Sequence, residues 1–177
     1  MSEAKTPVLE MLAAMQSGGV VSRDDAREAV LLQETDLPWV TLPDGSLLQV
    51  LHIDLNQNLW VIRSRFKPGF CVDTHYHTGP VFAFTKSGEW FYKEYPQKIN
   101  NAGSYLFEPA HSVHTLTVAD DATEDADVWF AIFGSNVNID DDGNVTSVLD
   151  AKTVMNLYRA LCEAEGKRCD QMIVVGE

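Results

Sequence analysis

Basic residues are scarce in this chain: 13 Lys and Arg stand against 26 Asp and Glu, for a formal net charge of −13. Binding to nucleic acid needs clustered cations that displace counterions, and attraction to an anionic membrane needs the same, so neither partner is expected. Cysteine is scarce as well. Cys71, Cys162 and Cys169 form no CxxC pair, and three thiols cannot all pair internally. With no apolar leader at the start, a reducing cytoplasm is the expected location. No run of 18 apolar residues suits a membrane-spanning helix, and internal repeats and low-complexity tracts are also missing. What remains is 177 residues with 45% hydrophobic content, enough for one globular domain with a real core and short appendages.

Thr6-Pro7 reads as a helix start, with Val8, Leu9, Leu12 and Met15 on one face and Gly18-Gly19 as the stop. Ser22, with Asp25 three residues on, predicts a second helix to about Leu32. From Leu37 the texture changes to short segments rich in Val, Leu, Trp, Phe and Tyr, at 47–55, 59–66, 81–85, 90–95, 104–107, 114–118 and 128–133. Turn clusters separate them: Pro43-Asp44-Gly45, Asn56-Gln57-Asn58, Lys67-Pro68-Gly69, Ser87-Gly88 and Asn100-Asn101-Ala102-Gly103. Many short strands between regular turns mean an antiparallel sandwich or barrel. The acidic run from Asp140 to Asn144 lacks a calcium loop's glycine at the sixth place and glutamate at the twelfth, which hold Val145 and Ala151, so it reads as a solvated hairpin turn. Asp150 then caps a helix with Val154, Leu157, Tyr158 and Leu161 on its apolar stripe and Gly166 at its end. Met172 to Val175 reads as a short strand or an oligomer contact. The expected domains are a helical extension over 1–35, a barrel over 36–138, and a hairpin and helix over 139–177 packed on the barrel.

Four of the five histidines lie between Gly69 and His114. Strand side chains alternate between faces, so His75 and His77 project two imidazoles from one surface. His114, from a later strand, is the candidate third ligand of a metal. His111 is a candidate outer contact, proton carrier or substrate contact, whereas His52 reads as structural. Glu94 shares the parity of Trp90 and Tyr92 and is a candidate fourth ligand or general base. Glu108 is positioned to anchor a ligand histidine or to act as a base. Cys71 has the parity of His75 and reads as a small apolar group. Imidazoles alone do not choose among Zn, Fe, Cu and Ni.

Gly69, five residues, His75-x-His77 and ten residues to Gly88 form one half of a pattern; Gly103, five residues, Pro109 and His114 form the other. Together they resemble the two conserved motifs of the cupin superfamily. The resemblance implies a mainly β fold, a single cupin (double-stranded β-helix or jelly-roll barrel), here with N- and C-terminal helices. Cupins usually carry a glutamate ligand shortly after HxH, where this chain has Val81 and Phe82, and often a glycine at His111. Without that carboxylate, three neutral imidazoles leave a divalent ion its full charge, which favours an anionic bidentate ligand such as a deprotonated hydroxy-ketone or a diketonate.

Asp36-Leu37-Pro38-Trp39, His77-Thr78-Gly79-Pro80, Gly88-x-Trp90-x-Tyr92-x-Glu94 and the run from Gly103 to Pro109 are similar to the 2,4'-dihydroxyacetophenone dioxygenase family of cupins. That resemblance implies a non-haem iron enzyme that cleaves the bond between a ketone carbon and its hydroxymethyl carbon with O2, giving 4-hydroxybenzoate and formate. Fe(II), with Zn, Ni or Mn as alternatives, would sit on His75, His77 and His114. Glu94, Glu108 or His111 would take a proton. Trp90, Tyr92, Phe82 and Phe84 would line a ring slot, and Arg63 or Arg65 would meet the phenol or the carboxylate product. The partners expected are an aromatic ketone and O2, and the protein is expected to be a homodimer or homotetramer. Two alternatives stay open: a dioxygenase of another ketone or β-diketone, and a metal-bound cupin that regulates a partner without catalysis.

Overall fold

A computed structural model describes residues 28–177. The chain divides into two units, Met1–Leu31 and Leu32–Glu177; the elements named here belong to the second. The predicted helix at Thr6 and most of the one after Ser22 lie outside the described residues, and residues 28–33 are not helical.

The fold is mainly β, with strands joined almost throughout in antiparallel ladders. The largest sheet runs in the order β1 (Val40–Thr41), β2 (Leu47–Asp54), β3 (Leu59–Phe66), β10 (Ala126–Phe133), β5 (Val81–Ser87) and β8 (Tyr105–Glu108), and β13 (Ile173–Val175) adds to β2 in parallel. Two smaller sheets, β12 (Val145–Leu149)–β11 (Asn136–Ile139)–β4 (His75–His77) and β7 (Asn100–Asn101)–β6 (Glu89–Tyr92)–β9 (Leu116–Thr117), complete the strands. Trp90 of β6 meets Phe130 of β10 at 6.2 Å between ring centroids, and both belong to one continuous core. This is the cupin barrel that the motifs imply.

Alternation sets what each wall presents. In β3, Trp60, Ile62, Ser64 and Phe66 face inward, so Arg63 and Arg65 must face out. In β5, Val81, Ala83 and Thr85 are buried, while Phe82 and Phe84 are exposed on the other face. Gly88 turns the chain from β5 to β6 at φ +69°, where a Cβ would lie 2.4 Å from the Asp125 carbonyl oxygen, so the motif glycine is dictated by close backbone approach.

The C-terminal helix, Ala151–Ala164, starts as its sequence predicts: the Asp150 side chain accepts from the Thr153 N–H at 2.7 Å. Val154, Met155, Tyr158 and Cys162 are buried, and Gly166 takes φ +65° beyond the end. The Asp140 carboxylate accepts from the Asp142 and Asn144 N–H groups, closing the acidic run as the turn between β11 and β12. Several strand boundaries differ from the sequence reading, and two of the differences have a clear cause. Strand β6 stops at Tyr92, because the Tyr95 N–H turns back to the Tyr92 carbonyl at 2.8 Å and Pro96, which has no N–H, follows. Asn100 and Asn101, expected in a turn, instead pair with Trp90 and Glu89 as β7.

Candidate metal centre

β4 presents His75 and His77, and the loop after β8 brings His114 across to them. The backbones of His75 and His114 exchange two N–H···O bonds of 3.0 Å, and the His111 N–H donates to the His77 carbonyl at 2.8 Å. The third imidazole is thus clamped to the first two by main chain. Ring centroids are 4.7 Å apart for His75 and His114, 5.1 Å for His75 and His77, and 5.9 Å for His77 and His114. One nitrogen from each lies within 4.8 Å of the others, so the three can hold a metal ion.

The ring chemistry suits that role. The His75 Nδ1 lies 2.7 Å from the Asp73 carbonyl oxygen, which can only accept, so Nδ1 carries the hydrogen and Nε2 keeps its lone pair. Burial holds the His75 imidazole below its usual range and pushes His77 down to about 4. Both are therefore neutral, as ligands must be, at pH 7.

Glu108, the last residue of β8, is buried against the same cluster. Its Oε1 accepts from the Tyr92 hydroxyl. Its Oε2 lies 3.2 Å from His114 Nε2 and 3.6 Å from His77 Nε2. Burial alone would raise this carboxyl; His114, then His77 and Tyr92, outweigh it and leave it below the ordinary glutamate range. Burial, then the Glu108 charge, pushes the Tyr92 phenol well above its usual value, so Tyr92 stays a donor. Glu108 Oε2, His114 Nε2 and His77 Nδ1 are nevertheless buried without a hydrogen-bond partner. The 3.2 Å approach of Oε2 to Nε2 lacks hydrogen-bond alignment. Neighbouring donors about 2.1 Å from one ion lie roughly 3 Å apart. With one nitrogen of each imidazole gathered within 4.8 Å and Glu108 Oε2 orphaned beside them, the cluster fits a divalent cation.

The cluster lies on a cavity of about 300 Å³ whose walls include Leu48, Trp60, Ile62, Phe130 and Ile132 from the large sheet and Val154 and Leu157 from the helix. Tyr92, Glu108, His75 and His77 also line it. Trp90 lies behind them, fully buried, donating to Thr85 Oγ1 at 2.9 Å.

Other predicted site residues stand elsewhere. Glu94 lies past the end of β6, exposed, accepting from the Thr115 N–H and hydroxyl at 3.0 and 3.1 Å; the early end of the strand breaks the alternation that would have carried it inward. His111 is exposed at φ +67°, its ring 5.9 Å from that of Tyr76. Phe82 and Phe84 are on the outer face, the first 5.6 Å from Phe107 between ring centroids. Arg63 and Arg65 are outside too, both bonded to Asp127 and both over the Trp39 ring. Cys71 is an exposed residue that lines the cavity, and His52 lies in β2 away from the cluster. Polar lining residues with little signal in the sequence include Ser64, visible only through its parity with Ile62, and Asn136 and Asn138, which pair with His77 and His75 on the unexpected strand β11.

The ChrR cupin-like domain family profile matches residues 27–130. The chain belongs to this family. Among solved structures, the ChrR-like cupin is similar to a protein of unknown function with a cupin-like fold from Ralstonia eutropha JMP134, at 30% identity over 86% of this chain and 96% of that one, with a TM-score of 0.77. It is also similar to an acetylacetone dioxygenase from Acinetobacter johnsonii, at 21% identity over 81% and 99%, TM-score 0.66. A third match is a chain of the Rhodobacter sphaeroides SigE complex with the anti-sigma ChrR, at 16% identity over 70% and 75%, TM-score 0.51. The last two likenesses show the fold. No curated protein matches the chain.

Proposed function

We propose that this ChrR-like cupin is a non-haem iron dioxygenase. It cleaves the bond between the carbonyl and hydroxymethyl carbons of an aromatic hydroxy-ketone, with 2,4'-dihydroxyacetophenone and O2 giving 4-hydroxybenzoate and formate. The observation that carries this reading is the gathering of three imidazole nitrogens within 4.8 Å, beside an orphaned carboxylate oxygen, on a largely apolar cavity. His75, His77 and His114 would hold Fe(II), which when bound would supply Lewis acidity toward a chelating ketone and a place for O2 to react, the electrons that reduce O2 coming from the substrate's cleaved C–C bond.

The chain's own residues supply the rest. Glu108 Oε2 faces the imidazoles, in reach of a ketone seated on the ion, and takes the proton that leaves the substrate. Tyr92 keeps Oε1 occupied, so the carboxylate offers one oxygen in a fixed direction. Glu94 is exposed and bonded to Thr115, and His111 is exposed with its ring beside Tyr76, so of the three candidates Glu108 is the one buried against the imidazoles. Leu48, Trp60, Ile62, Phe130 and Ile132 give the substrate's ring an apolar bed.

The test is one preparation: metal analysis under anaerobic conditions, then oxygen uptake with 2,4'-dihydroxyacetophenone and with acetylacetone. Iron, stoichiometric O2 consumption and formate with the first ketone support the reading; uptake with acetylacetone alone would move the substrate to β-diketones, in keeping with the acetylacetone dioxygenase neighbour. A second reading is favoured by the family itself: a metal-bound regulatory cupin, as the likeness to the SigE–ChrR complex suggests. It expects zinc, no O2 uptake with any ketone, and a protein partner in pull-down. A cytoplasmic homodimer or homotetramer is part of the proposal, tested by sedimentation.

A further inference from the structure

Ser64 is a buried hydroxyl on the inner face of β3, and it lines the cavity. Its side chain makes no hydrogen bond among the described residues, and Leu48 and Ile62 beside it on the cavity wall are apolar. Other polar groups nearby are differently disposed. The Asn136 amide donates to Asn138 Oδ1 at 2.7 Å, and the Asn138 amide donates to the Ser147 hydroxyl at 2.8 Å. With no protein partner and a place on the cavity wall, the Ser64 hydroxyl is free to bond a guest there.

The charge of that partner follows from what the same strand places elsewhere. Arg63 and Arg65 are the cations nearest Ser64 in sequence, and alternation puts both on the opposite face, tied to Asp127 and Glu34. No Lys or Arg lines the cavity among the described residues, whereas Asp44 and Asp73 do. A carboxylate or phosphate on the substrate's tail would find no counter-charge in a cavity whose lining already holds Asp44, Asp73 and Glu108. A cavity of about 300 Å³ is at the small end for ligand sites, room for a single-ring body.

We infer that Ser64 is a specificity-determining residue: the ligand is an uncharged single-ring ketone held by its ketone end at the imidazole cluster, and Ser64 hydrogen-bonds a neutral polar substituent, such as a phenolic hydroxyl, on its ring. The inference rests on the proposed function for the chelating end only. His75 and His77 project from β4, in one of the smaller sheets, and Ser64 from β3 of the large one. A ligand between the walls is read from both sides. The expected discrimination is that of one hydrogen bond made in a water-poor site, about tenfold or somewhat more.

The experiment measures anaerobic binding of three 2-hydroxyacetophenones to the Fe(II)-loaded protein, by calorimetry: one with a para-hydroxyl, one unsubstituted, one with a para-carboxylate. Wild type is expected to bind the para-hydroxyl compound roughly tenfold tighter than the unsubstituted one, with the carboxylate weakest. Ser64→Ala should bring the para-hydroxyl compound to the unsubstituted level and leave the unsubstituted compound unchanged, with iron content as in wild type. Removing the hydroxyl from the ligand tests the same bond without any variant. Equal binding of all three by wild type, a para-hydroxyl preference that survives in Ser64→Ala, or no binding at all overturns the inference. Oxygen uptake separates it from the proposed reaction. A Ser64-dependent preference without O2 consumption keeps the inference and removes the dioxygenase, whereas O2 consumption at equal efficiency with and without the para-hydroxyl does the reverse.

Discussion

Two buried charge clusters lie on opposite sides of the barrel wall, and they differ in completeness. Outside, Asp127 receives Arg63 through two bonds of 2.6 Å and Arg65 through one of 2.8 Å, with Glu34 joining Arg63, Arg65 and Lys86. Trp39 covers both guanidinium groups at 5.0 and 4.2 Å. Inside, Glu108 and two histidines leave three buried polar atoms without partners. A charge network with every donor matched holds structure. One left open by its own residues is built around something the chain does not contain.

His114→Ala should strike the open cluster hardest, lowering metal affinity roughly 100-fold or more while far-UV circular dichroism stays unchanged. Full metal content in that variant would remove His114 from the centre. Glu108→Gln is expected to keep its metal and lose about 10²- to 10⁴-fold in turnover, as for a missing general base; wild-type turnover would return the base role to another group.

On the closed side, Asp127→Ala leaves buried Arg63 with only the half-exposed Glu34 as its partner. It should cost about 3–5 kcal/mol in urea unfolding and leave metal per folded chain unaltered. Acid should separate the two clusters by pH. In metal-free protein His77 titrates near 4 when folded, against 6.5 ordinarily. Between those values the unfolded chain takes up a proton that the folded chain refuses, so stability falls as pH drops, by up to about 1.4 kcal/mol per unit. Asp127, which burial would raise but Arg63 and Arg65 hold below its usual 3.8, gives up its contribution only at still lower pH. Urea midpoints against pH should show the upper arm flatten in His77→Asn and persist in Asp127→Asn. The smallest effect belongs to Arg65→Ala, about 0.5–1 kcal/mol, since Arg65 is partly exposed and Arg63 still holds Asp127.

Much of the inner cluster was legible. The HxH parity and the Pro109–His114 spacing are local facts, and they name three residues whose nitrogens the fold gathers within 4.8 Å. Glu108 was legible only in part. Its place before Pro109 marked it, but that its carboxylate reaches the imidazoles depends on β8 pairing with β5, Glu108 opposite Val81. Glu94, Phe82, Phe84, Arg63 and Arg65 show the limit from the other side. Period-two alternation says which residues share a face, but not which face is inside; that is decided by how the sheets pack. For β3, the run Trp60, Ile62, Ser64, Phe66 held the answer, because the alternative would have put two arginines inside the barrel. For Glu94, the strand simply ended first.

The C-terminal helix touches none of the converging donors, yet Val154 and Leu157 form part of the chamber beside them. The helix is fastened to the rest by the Tyr158 hydroxyl on the Pro38 carbonyl and by Asn58 on the Ala151 N–H. Chamber depth and reactive centre are thereby encoded in separate stretches of chain. A bulkier side chain at Leu157 would shorten the space available to a guest without disturbing the chemistry, so relatives could trade one substrate for another by editing a helix that never meets the reacting atoms.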